Sequence, residues 1–520
     1  MPIDRRRFLR SGAVGVAGLS IAGSTTGCAP GAFTMNESRR RFAHGVASGD
    51  PLANRVILWT RVTPSRAERG DEVATRWWIG PNADGREPIG EGVAIAAPDR
   101  DYTVKVDADG LEPGVDYYYG FEAGGERSPV GRTKTLPAAG IERVRLAFTS
   151  CANYPQGFFN GYAHMARRDD VDAVIQLGDY LYEYGHGEYG DGTALGRIPA
   201  PLGETISLAD YRWRHASYKA DPDLQAAHAR RPWITVWDDH ESANNSFATG
   251  AENHDPEAEG DWPARMLSAI RAYYEWMPIR ELPTGLFRTF RFGDLLDLVM
   301  LDTRRFRDEQ PARGDVSTAI DPSRTLLGED QTGWLLDALS RSAADGLPWR
   351  VIGQQIVVSP ILLGEFGFNP DAWDGYRANR RRIFDHLVQE SIRDVVFLTG
   401  DVHSSWVFEV PHDDGTPSCA LEFVCPAISS PPFGKSRAIG DQFLEMVERT
   451  DHLAFLDVVH NGYAVVELTP AAARVEYVFS APVDERSADQ VGGAVFEAAA
   501  GTHRVVRVDS PEAASSAAFG

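Results

Sequence analysis

The sequence predicts an α/β chain in which a layered domain of alternating strands and helices follows an all-β domain. The first observation is a set of near-continuous apolar runs: "VRLAFTSC", "VDAVIQLGD", "WITVWDD", "LLDLVMLD", "RVIGQQIVV" and "DVVFLTGD". Apolar runs of this kind belong to strands buried on both faces. The second is that "FFNGYAHMARR", "PARMLSAIRAYYEWM", "TGWLLDALSRSA" and "ANRRRIFDHLVQE" lie between them, with apolar residues at helical spacing. Such alternation argues for helices layered on a sheet. The third is a change of texture before residue 137, where "RVILWTRV", "TRWWIG", "YTVKVD" and "DYYYGFEA" alternate between turn clusters such as "NADG" and "LEPG". Short strands at this spacing predict a β-sandwich over residues 42–137.

The elements follow in order. Residues 1–30 contain Arg5, Arg6 and Arg7 before Phe8-Leu9-Arg10, then a Gly-rich apolar run from Ala13 to Ala22. The run is too short and too rich in small residues to span a bilayer, and it reads as a twin-arginine export signal. Gly27-Cys28 makes Cys28 a candidate for acylation, although Thr25 stands where a large aliphatic residue is expected. "TLPAAGIERV" (135–144) reads as a linker, and the layered domain is expected over 143–490. "GYAVVELT" and "ARVEYVFS" look like two closing strands. Residues 491–520 form a C-terminal segment that ends in the frayed tail "SPEAASSAAFG".

With 520 residues and 43% apolar side chains the chain has an ordinary globular composition. Its net charge is −22, and loss of residues 1–30 removes four arginines and one aspartate, a net +3, leaving −25. This excludes a basic footprint for nucleic acid. An anionic substrate would need local positive charge, which bound cations supply. No later run approaches about 20 uninterrupted apolar residues, so no membrane span is expected.

Of the four cysteines, Cys28 leaves with the signal or is acylated. Cys419 and Cys425 bound the strand-like "CALEFVC". Six residues of strand hold their Cα atoms about 20 Å apart, against the roughly 4.4–6.8 Å of a disulfide. Cys151 therefore stands without a partner at a strand end.

Four polar clusters each follow an apolar run: "TSCAN" (149–153), "GDYLYEY" (178–184), "WDDHESANN" (237–245) and "GDVHSSW" (400–406). Ligands of open α/β sheets bind beyond the carboxyl ends of the strands, so the clusters are expected to converge. Cys151, Tyr182 and His403 are donors suited to a trivalent iron, whereas Asp239, Asn245 and Asp401 suit a hard cation such as Ca²⁺ or Mg²⁺. Asp179 is placed to bridge two metals. Taken singly, a Gly-Asp after a strand is most often a turn or a helix cap. The signal lies in the repetition. The acidic stretches "AENHDPEAEGD" and "PHDDG" follow no apolar run and read as solvated loops. Tyr211, Trp213, Tyr273 and Tyr274 read as packing. No P-loop, H-E-x-x-H, nucleophile elbow or dinucleotide fingerprint occurs.

With those residues in hand, the chain resembles the PhoD-like alkaline phosphatase family. "FAHGVASGDPLANRVILWTR", "SCAN", "GDYLYEY", "WDDHESANN", "LDTRRFR", "DAWDGY" and "LTGDVHSSW" occur in the family's order across nearly the whole chain. The resemblance implies an αββα metallophosphoesterase sandwich, similar to purple acid phosphatases, behind an Ig- or fibronectin-like β-sandwich. It implies Fe³⁺ on Cys151, Asp179, Tyr182 and His403, and Ca²⁺ on Asp179, Asp239 and Asp401. Asn245 and the backbone near Trp237 serve a second Ca²⁺, with Trp237 at the substrate. Gln354 and Gln355 lie where a further histidine ligand of that relative is sought. The reaction implied is in-line attack of a metal-bridging oxide or hydroxide on a small phosphate ester. His240 stands either as proton donor to the leaving group or as a residue that orients the ligands.

The protein is thus expected to pass the twin-arginine translocation machinery to the periplasm or the exterior. Its oligomeric state is not legible. The rival readings are a phospholipase D-like diesterase on the same scaffold and an exported calcium-binding structural protein.

Overall fold

The computed structural model describes residues 40–363, 365–412, 418–435 and 450–508. The export signal read over residues 1–30, its Cys28 and the frayed tail lie outside the described residues.

Two large sheets make the layered domain. The strands Val144–Thr149, Ala173–Leu177 and Trp233–Val236 lie side by side and parallel at the centre of a ten-stranded sheet. Leu296–Met300, Trp349–Gly353 and Val395–Thr399 do the same in a seven-stranded sheet. All six coincide with the apolar runs. The reason for those runs is visible in the core. In the strand Val395–Thr399, Val396 and Leu398 join the core that also contains Leu146 and Val174 of the other sheet. Val395 and Phe397 point the opposite way, into a core that takes in Leu335 and Leu339 of the helix Gly328–Ala344 and Ile383 and Phe384 of the helix Arg377–Gln389. A strand with apolar neighbours on both faces has no polar side, so its run is unbroken.

The N-terminal strands form a sandwich with a shared leaf. Gly90–Ala96, Val73–Gly80, Asp116–Ala123, Glu126–Arg127 and Gly131–Lys134 make a separate five-stranded sheet. The facing leaf, Val46–Gly49, Arg55–Arg61 and Thr103–Asp109, is the outer edge of the ten-stranded sheet. Val56, Leu58, Tyr119 and Phe121 are among the residues that fill the space between the leaves. The junction runs through Gly49, which pairs in parallel with Trp233. A Cβ at Gly49 would fall 2.3 Å from the Pro278 carbonyl oxygen and 2.5 Å from that of Trp233. No other residue fits there.

At the opposite edge, Gly462–Leu468 and Ala472–Ser480 continue the sheet as expected. A further strand, Gln490–Ala499, adds to them within the segment read as a C-terminal extension. Its alternation is blurred by Gly492, Gly493 and a row of alanines, which hid it from the pattern. Cys151, Cys419 and Cys425 are buried and unbridged. Among the described residues no helix is long and apolar enough to cross a membrane.

Candidate metal centre

Each of the four polar clusters begins where a parallel strand ends, three on one sheet and one on the other. The chain turns sharply at each. Cys151, Asp179, Asn245, Asp401 and His403 have φ of 58°, 54°, 51°, 63° and 50°. Left-handed backbone costs a residue with a Cβ on the order of 1 kcal/mol or more, and it concentrates where function requires a side chain to be aimed. Twelve non-glycine residues among those described have positive φ, and five of them are expected ligands.

The side chains converge into linked groups. One ligand atom each from Cys151, Asp179 and His403 lie within 4.8 Å of one another, and so do those of Asp179, Asp239 and His240. Asp238, Asp239 and Asp401 form a third such group. Asp179 belongs to the first two groups and Asp239 to the last two. The Tyr182 hydroxyl donates to Asp179 Oδ2 at 2.9 Å, stands 3.2 Å from His403 Nε2 and receives the Ser430 hydroxyl at 2.7 Å. The other ring nitrogen of His403, Nδ1, is 3.3 Å from the Pro431 carbonyl oxygen. A backbone partner at one ring nitrogen orients the other toward a metal. Asn245 gives its backbone N–H to Asp239 Oδ2 at 2.6 Å.

These groups are nearly all buried, with Asp401 and His403 at the partly open side. Burial pushes the Cys151 thiol well above its ordinary range, and Asp179 adds to the effect. Burial likewise pushes the Asp179 and Asp238 carboxyls up. Asp179 Oδ1 and Asp238 Oδ2 are buried without a hydrogen-bond partner. A buried carboxylate oxygen with no donor is costly. Thiol, phenol, imidazole and carboxylates around such an atom are the donor set of a metal centre, where cations displace the protons and offset the negative charge.

Several supporting residues lie in or near the quoted stretches but are given no role by the sequence. Glu241, buried, accepts backbone N–H bonds from Asp179 at 3.0 Å, Asp238 at 2.7 Å and Tyr180 at 2.5 Å. One carboxylate thereby ties two of the four loops together. Glu183, fully buried, binds His240 Nδ1 at 2.7 Å and the Asn244 backbone at 2.8 Å. Burial alone would lower the His240 pKa, but Glu183, Asp239 and Asp179 outweigh it and hold the ring well above its ordinary value. The ring also lies against Tyr182, with centroids 4.2 Å apart. Arg304 is buried against Asp238 and forms a bidentate pair with Asp371 at 2.9 and 3.0 Å. Ser430 sits after the strand Ala420–Val424, so the rule that singled out the other clusters, a polar stretch after an apolar run, would have found it.

Other expectations need correction. The indole of Trp237 is 4% exposed and packs edge-on against Tyr273 at 5.4 Å and Tyr274 at 6.2 Å. Walled in this way, it leaves only the backbone at this position to reach a ligand. Gln354 and Gln355 are committed elsewhere: Gln354 donates to Thr399 Oγ1 at 2.7 Å, and Gln355 accepts from Thr303 at 2.5 Å. The stretch 251–261 is more than a solvated loop. Glu252 takes a hydrogen bond from the Asn245 amide, and His254 is held by Glu259 at 3.0 Å beneath Arg265. In "PHDDG", His412 is buried and bound to Asp385 at 2.9 Å. Tyr211 and Tyr273 are core residues, but Trp213 is 58% exposed.

Two facing sheets with a thiol–phenol–carboxylate cluster at their carboxyl ends define a metallohydrolase site of the phosphoesterase kind. Comparison with known proteins agrees. Residues 146–477 match the model of the PhoD-like phosphatases, and residues 27–137 match the model of the N-terminal domain of those phosphatases. The chain belongs to this family. It is 39% identical to alkaline phosphatase D of Bacillus subtilis over 501 residues, covering 91% of this chain and 84% of that protein. The solved structure of PhoD superposes with a TM-score of 0.81 at 35% identity, covering 91% of this chain and 93% of its own. The chain is therefore a hydrolase of phosphoric esters in a metal-dependent family.

Proposed function

We propose that the chain is an exported phosphatase acting on small phosphate mono- and diesters at an iron–calcium centre. Fe³⁺ is assigned to Cys151, Asp179, Tyr182 and His403. Ca²⁺ is assigned to Asp179, Asp239 and Asp401, and a second Ca²⁺ to Asn245 and the Trp237 backbone. The observation that carries this reading is the Tyr182 hydroxyl, set between Asp179 and His403 in the group that contains Cys151. A calcium-binding structural protein has no use for a buried thiol and phenol in that position. Bound there, the cations supply charge for the phosphate oxygens and lower the pKa of water.

The chain's own residues do the rest. Asp179 links the two sides of the centre. Asp401 and His403 face the open side through which an ester enters. His240, kept protonated by Glu183, holds a proton for the leaving oxygen. The domain limits 42–137 and 143–490, the export signal over 1–30, passage through the twin-arginine machinery and acylation at Cys28 belong to the same proposal.

The test is metal analysis and visible absorption of the purified protein, together with hydrolysis of a mono- and a diester. We expect iron and calcium in the active protein, and a phenolate-to-iron band that disappears in Tyr182→Phe. A colourless, iron-free and fully active protein would refute the assignment. Hydrolysis confined to the diester would favour the phospholipase D-like reading.

A further inference from the structure

A loop that carries none of the proposed ligands wraps the thiol and phenol side of the centre. It follows the strand Ala420–Val424 and is laid against the Cys151 loop. Ile428 gives its backbone N–H to the Ser150 carbonyl at 3.1 Å, and the Ser429 hydroxyl donates to the Asn153 carbonyl at 2.8 Å. From the other side, the Asn461 amide donates to the carbonyls of Ala427 at 3.1 Å and Ser430 at 2.8 Å. Held in this way, the loop meets three of the proposed iron ligands. Ser430 reaches the Tyr182 oxygen, Pro431 presents its carbonyl to His403 Nδ1, and the backbone N–H groups of Ser429 and Ser430 cover the Cys151 carbonyl.

Ser430 is fully buried, and its one hydroxyl hydrogen has two acceptors within reach: the Tyr182 oxygen at 2.7 Å and the Cys151 carbonyl at 3.0 Å. The carbonyl does not need it. Its two lone pairs already accept the N–H of Ser429 at 3.3 Å and of Ser430 at 3.2 Å. The Tyr182 oxygen does need it. As a phenol, Tyr182 spends its own hydrogen on Asp179 Oδ2. As a phenolate on iron it has no hydrogen left and draws a charge-assisted bond. The ionised Asp179 carboxylate offers acceptors only. His403 faces Tyr182 with Nε2, the nitrogen left for a metal once Nδ1 is turned to Pro431. We infer that Ser430 is a positioning residue of the centre, whose hydroxyl donates to the Tyr182 phenolate oxygen, holds that oxygen in place and draws charge from it. A phenolate relieved of charge donates less to its metal, which keeps the metal's pull on a phosphate oxygen.

This inference rests on the iron reading above, and the test separates the two. The iron-loaded wild type and Ser430→Ala are compared by visible absorption, and by resonance Raman spectroscopy excited in the phenolate-to-iron band, in H₂O and in D₂O. In the wild type the tyrosinate vibrations should shift in D₂O, because the donated hydrogen exchanges. In Ser430→Ala that shift should be lost. The absorption maximum should also move to longer wavelength, since a phenolate without its hydrogen bond gives up an electron more easily, and the iron should be harder to reduce. A serine that merely shapes the loop would change the iron content but not the band position or the D₂O shift, and that result overturns the inference. So do wild-type tyrosinate vibrations that ignore D₂O. This last measurement needs no variant, so it decides the matter even where Ser430→Ala does not fold or hold iron. A wild type with no phenolate-to-iron band at all refutes the iron reading and the inference with it, whereas a band indifferent to Ser430 refutes the inference alone.

Discussion

Replacing Glu241 by glutamine should loosen the centre without removing a single proposed ligand. The carboxylate accepts three backbone N–H bonds, two at Oε2 from Asp179 and Asp238 and one at Oε1 from Tyr180. Glutamine keeps one acceptor oxygen. With that oxygen on the Asp179 and Asp238 side, its NH₂ faces the Tyr180 N–H and leaves it unsatisfied, at a cost of about 1–3 kcal/mol. The two surviving bonds lose their charge assistance, about 1 kcal/mol each. Removing a buried carboxyl, which burial has pushed up to about 7, offsets part of this. The net expectation is a loss of about 2–4 kcal/mol, expressed first where residues 178–180 meet residue 238. Urea unfolding followed by tryptophan fluorescence measures the stability, and metal analysis of the same sample measures the site. A Glu241→Gln protein within about 0.5 kcal/mol of wild type, with its full metal complement, would refute the clasp.

Two further outcomes are expected. His240→Ala should slow hydrolysis of esters with poor leaving groups about 10²–10⁴-fold, while p-nitrophenyl phosphate suffers far less. Equal effects on both would assign His240 to ligand orientation instead. The second concerns acid stability. His44, His215 and His228 are buried around Lys219, whose Nζ is 3.3 Å from His228 Nε2, while Tyr180 binds the same nitrogen at 2.9 Å. Burial is the main cause that holds all three rings well below 6.5, and the same burial pushes the Lys219 ammonium down. They are neutral when folded and protonated when unfolded. Stability from this source is complete above about pH 6.5 and falls below it by about 1.4 kcal/mol per pH unit for each ring. His228→Gln should reduce the acid-side slope of urea stability by up to about 1.4 kcal/mol per pH unit, and an unchanged slope would contradict the assignment.

Much of the layered domain was legible because its strands are buried on both faces, which leaves unbroken apolar runs such as Val395–Thr399. The candidate ligands were legible because a polar residue directly after such a run falls at the carboxyl end of a strand. Local pattern does not show which distant chain passes nearby. Glu241 and Glu183 read as ordinary charged residues until the fold set backbone N–H groups and His240 against them. The burial of the Trp237 side chain was not legible because it depends on neighbours from the helix Trp262–Trp276, which the residues around Trp237 do not encode.

The sequence by itself determined most of the order of strands and helices, the four polar loops and the family, because each rests on residues close together in the chain. Only the tertiary structure decided that the N-terminal leaf continues the catalytic sheet through Gly49 and that Asp179 links two donor groups. Each of these is a contact between segments far apart in sequence, and such contacts exist only once the two sheets have packed.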